Sequence, residues 1–480
     1  MTPRRTTIRR IAFVAALAML LGACDAWPMF RFDASHSGSS PSENKITPAN
    51  VGGLHELFTA RVQGLMRTSP VVANGVVYMT TDLGVQAERG DNSGTLYAFD
   101  AAGVTNCSGT PNTCAPLWSA EGIGGMATPA VANGVVYIGT GGGGPPSVLG
   151  YVLAFDAAGT VNCSGTPKVC TPVRRYTSRN WVRGGSPLSS VTVAGGNIFV
   201  GGDDGVLYAF DAKGVTNCGG TGTIPTCTPL WSSGLDIGGI DRFSSTPAVA
   251  KGQLFVGNWD GKVRRYASTA TASQCPGPFQ NVGRVCRPAW AVQTDSRVTS
   301  SPSVSGNLVY AVSSIGTVYA IGLDGHVRWT TSVGYDGDDP KLLYPSTAVA
   351  DGVLYVPSTI GVTFAFDAAG NTGCTGAAPK VCSPLWQANS TGVRTSPAIA
   401  GGLMYTISSD VSGERYASAF DIASCRAAGG VCAPSWSGDL FANSGGWSSP
   451  TVANGVVYVG TESVPGIGLR FADLHAFTGA

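Results

Sequence analysis

Short apolar runs broken by glycine-rich turns fill most of the chain, and they recur in a fixed order. The first copy opens as Thr68-Ser69-Pro70, runs through Val71-Val72-Ala73, turns at Asn74-Gly75 and returns as Val76-Val77-Tyr78. After a longer turn comes Gly94-Thr95-Leu96-Tyr97-Ala98-Phe99-Asp100, and the copy closes on Pro116-Leu117-Trp118. Short apolar segments bounded by Gly, Asn and Pro are strand signals, and no stretch sustains the 3.6-residue period of a long helix. Each copy therefore predicts four antiparallel strands, A to D. Turns such as Asn74-Gly75, Asn133-Gly134 and Asn454-Gly455 supply the positive φ angles of a two-residue hairpin between A and B.

The opening returns near Thr128-Pro129, Ser186-Pro187, Thr246-Pro247, Ser301-Pro302, Ser346-Thr347, Ser396-Pro397 and Ser449-Pro450, at intervals of 45 to 60 residues. Periods of this size indicate solenoids or propellers, and four-stranded units close radially because a ring leaves only short edges. The eighth copy stops at Leu474-His475-Ala476-Phe477, without a strand D of its own. Residues Val51 to Ala60 lie before the first strand A and alternate like a strand D. The expected fold is thus all-β: an eight-bladed β-propeller of four-stranded antiparallel blades, closed by the N-terminal strand and spanning residues 51–480 as one domain. A strand-D tryptophan recurs as Trp118, Trp231, Trp290, Trp329, Trp386 and Trp436, whereas the second copy has Arg174-Arg175 in its place.

The N-terminus adds an address. Arg4, Arg5, Arg9 and Arg10 precede an apolar run from Ile11 to Leu21, too short to span a bilayer and shaped like a secretory leader. Leu21-Gly22-Ala23-Cys24 resembles a bacterial lipobox, so residues 1–23 read as a lipoprotein signal peptide and Cys24 as the lipidated residue. Residues 24–50 then form a tether and cap, and the only expected membrane contact is through this lipid. An ordinary cleaved signal with a chance cysteine, and twin-arginine export, are the competing readings. Asp25 resembles the residue that holds lipoproteins at the inner membrane. The whole chain carries a net charge of +1, and losing the four leader arginines takes it to about −3. No clustered basic face points to nucleic acid. A monomer is expected.

Twelve further cysteines fall into local pairs seven to eleven residues apart: Cys107 with Cys114, Cys163 with Cys170, Cys218 with Cys227, Cys275 with Cys286, Cys374 with Cys382, and Cys425 with Cys432. Each pair lies between strands C and D of one copy; the fifth and eighth copies lack one. Structural zinc needs closer knuckles, so disulfides in an oxidising compartment are expected.

Strand C with its aspartate, a following glycine and the strand-D tryptophan (Ala98, Asp100, Gly103, Trp118) resembles the pyrroloquinoline-quinone (PQQ)-like repeat. Trp27-Pro28-Met29-Phe30-Arg31 and Ser37-Gly38 resemble the start of such exported domains. The resemblance implies a propeller and two kinds of relative. One is the propeller lipoprotein of the Gram-negative outer-membrane assembly machine. The other is the PQQ-dependent dehydrogenases, which use a calcium-bound quinone, a catalytic aspartate and often adjacent cysteines. This sequence has neither adjacent cysteines nor a Cys-x-x-Cys-His haem motif.

Following the strands around a blade puts the D-to-A links and B-to-C turns on one face. There, Arg67, Trp181, Arg183, Arg242, Arg297, Tyr344, Arg394 and Trp447 are expected to ring the channel mouth. Arginines with aromatics suit carboxylates, sugars or a protein strand; the plainer reading is that they satisfy carbonyls and acids at a crowded rim. Asp203, Asp204, Asp260, Asp410 and Glu462 lie in B-to-C turns, and Asp336, Asp338 and Asp339 in a link, without the ligand spacing of a calcium loop. No catalytic residue, metal or cofactor is predicted. The expected function is a non-catalytic envelope propeller that binds a protein partner or small ligand. A PQQ- and calcium-dependent dehydrogenase and a surface glycan-binding module are the alternatives.

Overall fold

The computed structural model describes residues 26–479 except 67, 83–93, 124–126, 141–149, 179–188, 221, 235–244, 270–272, 277–283, 335–344, 390–394, 410–413, 441–447 and 467–468. Eight sheets surround one axis, one for each sequence copy. In blade 1 the strands A to D are Val71–Ala73, Val76–Thr81, Thr95–Asp100 and Trp118–Glu121. The remaining strands A are Ala130–Ala132, Thr192–Ala194, Ala248–Ala250, Ser303–Ser305, Ala348–Ala350, Ala398–Ala400 and Thr451–Ala453. They touch in that order around the axis, and the last touches the first. The ring is closed. Blade 8 takes its strand D from the N-terminal side: His55–Gln63 pairs antiparallel with Leu469–Thr478, from His55 opposite Thr478 to Gln63 opposite Phe471. That strand starts at His55, because Val51–Gly53 forms a single 3-10 turn.

The recurring Ser or Thr before strand A has a physical reason. The backbone N–H of Ser69 donates to the Thr128 hydroxyl, Thr128 to Ser190, Thr246 to Ser301, Ser301 to Ser346, Ser346 to Ser396, Ser396 to Ser449, and Ser449 back to Ser69, at 2.8–3.3 Å. These seven bonds satisfy buried amides where the blades enter the ring. In the third copy Ser190 holds the position, and strand A begins at Thr192. The Ser186-Pro187 dipeptide read from the sequence lies outside the described residues, four positions too early.

Glycine and tryptophan recur together because they touch. A Cβ on Gly159 would come 2.2 Å from the Trp118 ring, and one on Gly370 2.3 Å from Trp329, so each glycine of one blade lies flat on the strand-D ring of the blade before. Trp118 Nε1–H and the Tyr78 hydroxyl both donate to the carbonyl of Ala157, at 3.3 and 2.9 Å; Trp329 and Tyr310 do the same to Ala368. Arg174 fills the ring position in blade 2, under Gly214, and Phe58 fills it in blade 8, under Gly103. Asp100 caps the turn that presents its glycine, accepting from the backbone N–H of Ala102, Val104 and Thr105. Burial alone would raise this carboxyl's pKa; the amide donors outweigh it and hold the group below the usual carboxylate range. Asp156, Asp211 and Asp367 repeat the pattern.

All six cysteine pairs are disulfides. Their hairpins do more than close a turn. The second arm of each reaches back and pairs parallel with strand D of the preceding blade: Thr113 opposite Thr59, Val169 opposite Ser119, Thr226 opposite Arg175, Val285 opposite Ser232, Val381 opposite Thr330, and Val431 opposite Gln387. Every latch thus sets a Val or Thr opposite the residue that follows the docked ring or its Arg174 substitute. In the seventh copy the first arm is a helix, Ile422–Ala428, N-capped by Asp421. A latch covers an edge that would otherwise offer unpaired N–H and C=O groups.

Residues 26–50, expected as tether and cap, lie against the ring and form a plug. Trp27 exchanges two 2.8 Å backbone bonds with Val72 in blade 1. Backbone carbonyls of Pro28, Ala34, Ser35, Ser37 and Gly38 then accept from Val131, Val249, Val304, Val349 and Ile399, in blades 2, 4, 5, 6 and 7. His36 reaches Thr192 in blade 3, and the Glu43 carboxylate accepts from Gly455 N–H in blade 8 at 2.9 Å. Arg31, fully buried, donates to the carbonyls of Pro397 and Thr347 at 2.6 and 2.8 Å, and burial pulls its pKa down to about 9. Every blade holds the plug.

The plug carries a pH signature. His36 is fully buried; its Nδ1–H donates to the Pro302 carbonyl at 3.2 Å, and Nε2 lies 3.2 Å from the Thr192 hydroxyl. Burial lowers its pKa to about 3, the Pro302 bond opposes this, and the charge of Arg31 adds to the fall. The folded state therefore keeps it neutral while the unfolded chain takes a proton below about pH 6.5, so stability falls by about 1.4 kcal/mol per pH unit from there toward pH 3. In urea titrations across pH 6.5 to 4.5, His36→Gln is expected to remove about that much slope. An unchanged slope would mean that this imidazole is not buried neutral.

Candidate functional site

The plug seals the end of the channel where strands A run into their Asn-Gly turns. The latch hairpins, being C-to-D connections, lie on that same face. The D-to-A links and B-to-C turns meet at the opposite end. Of the residues predicted to ring it, Arg67, Trp181, Arg183, Arg242, Tyr344, Arg394 and Trp447 lie outside the described residues, as do Asp336, Asp338, Asp339, Asp410 and Cys24. Arg297 is described, and it has a partner that its sequence position alone did not reveal.

Arg297 sits in the link from blade 4 to blade 5, and its guanidinium lies over the Trp259 ring, 4.8 Å from the centroid. Two contacts fix that link over the B-to-C turn of blade 4: Val298 N–H donates to Asn258 O at 2.9 Å, and Thr294 N–H to Gly261 O at 2.8 Å. Ser314 N–H in turn donates to Arg297 O at 2.7 Å, and the Ser296 and Ser314 hydroxyls meet at 2.8 Å. The backbone is thus pinned while the guanidinium stacks on a half-buried ring. An arginine desolvated on one face by tryptophan keeps its in-plane N–H fork for a carboxylate or a peptide carbonyl.

The turns of blades 3 to 6 are uniformly short: Gly202–Gly205, Asn258–Gly261, Ser313–Gly316 and Ser358–Gly361 each close with a single backbone bond back to their first residue. Ile315 and Ile360 are exposed at the tips of two of these turns. By contrast, the connections of blades 1 and 2 span residues 82–94 and 140–151, and blade 8 carries long strands, Val456–Gly466 and Leu469–Thr478. The described turns and links of blades 4 to 6 thus present Trp259, Arg297, Ile315 and Ile360.

Two described acids of these turns are engaged by neighbours. Asp260 accepts from Arg264 and pairs with Lys262 at 3.4 Å; burial raises its pKa, and Arg264 more than offsets this, leaving it lowered. Asp204 accepts from the Tyr208 hydroxyl at 2.5 Å and from Val206 N–H. No group of three or more His, Cys, Asp or Glu side chains gathers to hold a metal ion among the described residues. Asp260 and Asp204, held in this way, are engaged by their own blades. A cleft of about 600 Å³ opens on the plugged face, beside Ala26, between blades 8, 1 and 2. Its one charged lining residue is Asp100, already committed to its turn, so the Arg297–Trp259 side carries more recognition chemistry.

Comparison with known proteins agrees with this architecture. Residues 223–428 match the family described as outer membrane protein assembly factor BamB. No curated protein matches the chain. Among solved structures, quinohemoprotein alcohol dehydrogenase from Comamonas testosteroni is similar with a TM-score of 0.60 at 12% identity, over 95% of this chain and 80% of that one. A europium-containing methanol dehydrogenase gives 0.59 at 12% identity, over 95% and 98%. BamB from Moraxella catarrhalis gives 0.51 at 12% identity, over 88% and 97%. At such identities the likeness establishes the fold, a PQQ-like repeat propeller, and leaves chemistry to the site.

Proposed function

We propose that this chain is a non-catalytic scaffold of the cell envelope, exported and lipid-anchored through Cys24, that presents its open mouth to a protein partner. The observation that carries this reading is the Arg297–Trp259 stack at the end of the ring opposite the plug. With the plug on one face, the described part of the other offers Arg297 stacked on Trp259, and Ile315 and Ile360 are exposed in the turns of the next two blades. Aromatic and arginine anchors with an apolar surround are what protein interfaces use. Six disulfides accord with an exported protein. The matched family's description, an outer-membrane assembly factor, supports the same class of partner. Ala26 lines the plugged face two residues after Cys24, so a lipid there would turn that face to the membrane and the mouth away from it.

The reading is tested by affinity capture of the oxidised, mature protein from its native envelope. One defined protein is expected in stoichiometric yield, and the Arg297→Ala/Trp259→Ala double variant should lose it at least tenfold, since each anchor of this kind contributes about 1–2 kcal/mol or more. Equal capture by the double variant would remove the mouth from the interface. A marked rise in melting temperature with PQQ and calcium would instead establish the dehydrogenase, because a tight ligand stabilises by mass action.

A further inference from the structure

Among the described residues, six latches for eight blades leave two strands D uncovered at the outer edge of their sheets: Trp290–Gln293 in blade 4 and Trp436–Asp439 in blade 7. The bare edge of blade 4 has a plain cause. A latch comes from the next blade, and blade 5 joins its strands C and D through the tight turn Gly322–His326, with no cysteine hairpin. The edge itself keeps the latched form. Ala289 N–H donates to Arg265 O at 2.7 Å, just as Leu117 does to Ala98 and Leu385 to Ala365 in latched blades. Ala291 therefore occupies the place of Ser119 and Gln387, whose amides donate outward to their latches at 3.0 Å. Trp118, Trp231, Trp329 and Trp386 are buried in latched blades; Trp290 is left half-buried.

We infer that the blade 4 edge is a docking site for an extended strand of a partner protein, which pairs parallel to Trp290–Gln293 and sets a valine or threonine opposite Ala291. The protein itself shows what fits: in six blades this edge is filled by a parallel strand with Val or Thr at that register position, followed by a buried cysteine. Strand addition at an exposed edge draws affinity from backbone bonds and specificity from alternate side chains. Nothing in Trp290-Ala291-Val292-Gln293 protects the edge, for it has no charge, proline or bulge within it. Blade 7 differs, because Gly438 and Asp439 weaken and charge its strand. A second copy of this chain is the poorer occupant: identical edges meeting about a two-fold axis bond antiparallel, unlike every latch. This site lies on the outer wall of the ring, apart from the mouth.

The test uses the full oxidised protein and a fluorescent, disulfide-closed peptide of residues 372–384, which copies one of its own latches. Saturable binding is expected, weakened at least tenfold by Ala291→Pro, with Ser437→Pro binding as the parent does. Because the Ala291 amide points outward, Ala291→Pro should melt with the parent, whereas Ser119→Pro, which loses a latch bond, should melt lower. Absence of peptide binding, or binding indifferent to Ala291→Pro, overturns the proposal. So does concentration-dependent self-association that Ala291→Pro abolishes, which would assign the edge to a second copy.

Discussion

Reducing the six disulfides is expected to lower the melting temperature by at least about 15 °C, the largest effect of any mild treatment of this protein. Each bridge closes a loop of only 7 to 11 residues, which in the chain-entropy picture gives about 2–3 kcal/mol. Six such terms rival the roughly 5–15 kcal/mol of a typical native state. The loss here is not confined to the loops. Each hairpin is also the strip that covers its neighbour's edge, so a reduced hairpin that frays uncovers the docked tryptophan and the outer amides together. Amide exchange should therefore accelerate first at Ser119 and Gln387, whose N–H groups bond to latch carbonyls, while the unlatched Ala291 changes little. A reduced protein that melts within a few degrees of the oxidised one would show that sheet pairing alone holds the latches.

Trp27→Ala is expected to cost about 3–5 kcal/mol, in the range of buried tryptophan truncations. The ring is 2% exposed and meets Phe32 edge-on at 5.2 Å. It belongs to the same apolar cluster as Val72, Val77, Val452 and Val457, where the first and last blades join. Truncation leaves a cavity at that seam and loosens the residue whose backbone starts the plug. Denaturant titration measures the loss. A cost below about 1 kcal/mol would mean that residues 26–40 rest on the ring without being part of its core.

The repeat made most of this fold readable from sequence, since each copy restates the same strands and turns. Asn-Gly turns placed the A-to-B hairpins, and the missing eighth strand D led correctly to the N-terminal segment. Three features were harder to see. The latch function was hidden because the strand that each hairpin covers belongs to another copy, about one repeat away; its only local trace is the Val or Thr before the second cysteine. The plug reads only as a tether and cap because most of its bonds are made by backbone carbonyls, which leave no side-chain pattern, and only Trp27, Met29 and Phe30 hint at burial. The third copy falls four residues early because a Ser-Pro dipeptide outweighs the true Ser190-Val191. At the mouth, Arg297 was legible from its position before strand A. Trp259 was not, although an aromatic in a turn that other copies fill with Asp, Ser or Thr was the available signal.

The central claim is that one face of the ring is closed and the other receives the partner. It is tested most directly by placing a photo-crosslinking amino acid at position 259 on the mouth or at position 133 on the plugged face, in the native envelope. Adducts to one defined protein from position 259, and none from position 133, are the predicted result. Adducts from position 133 alone would contradict the account.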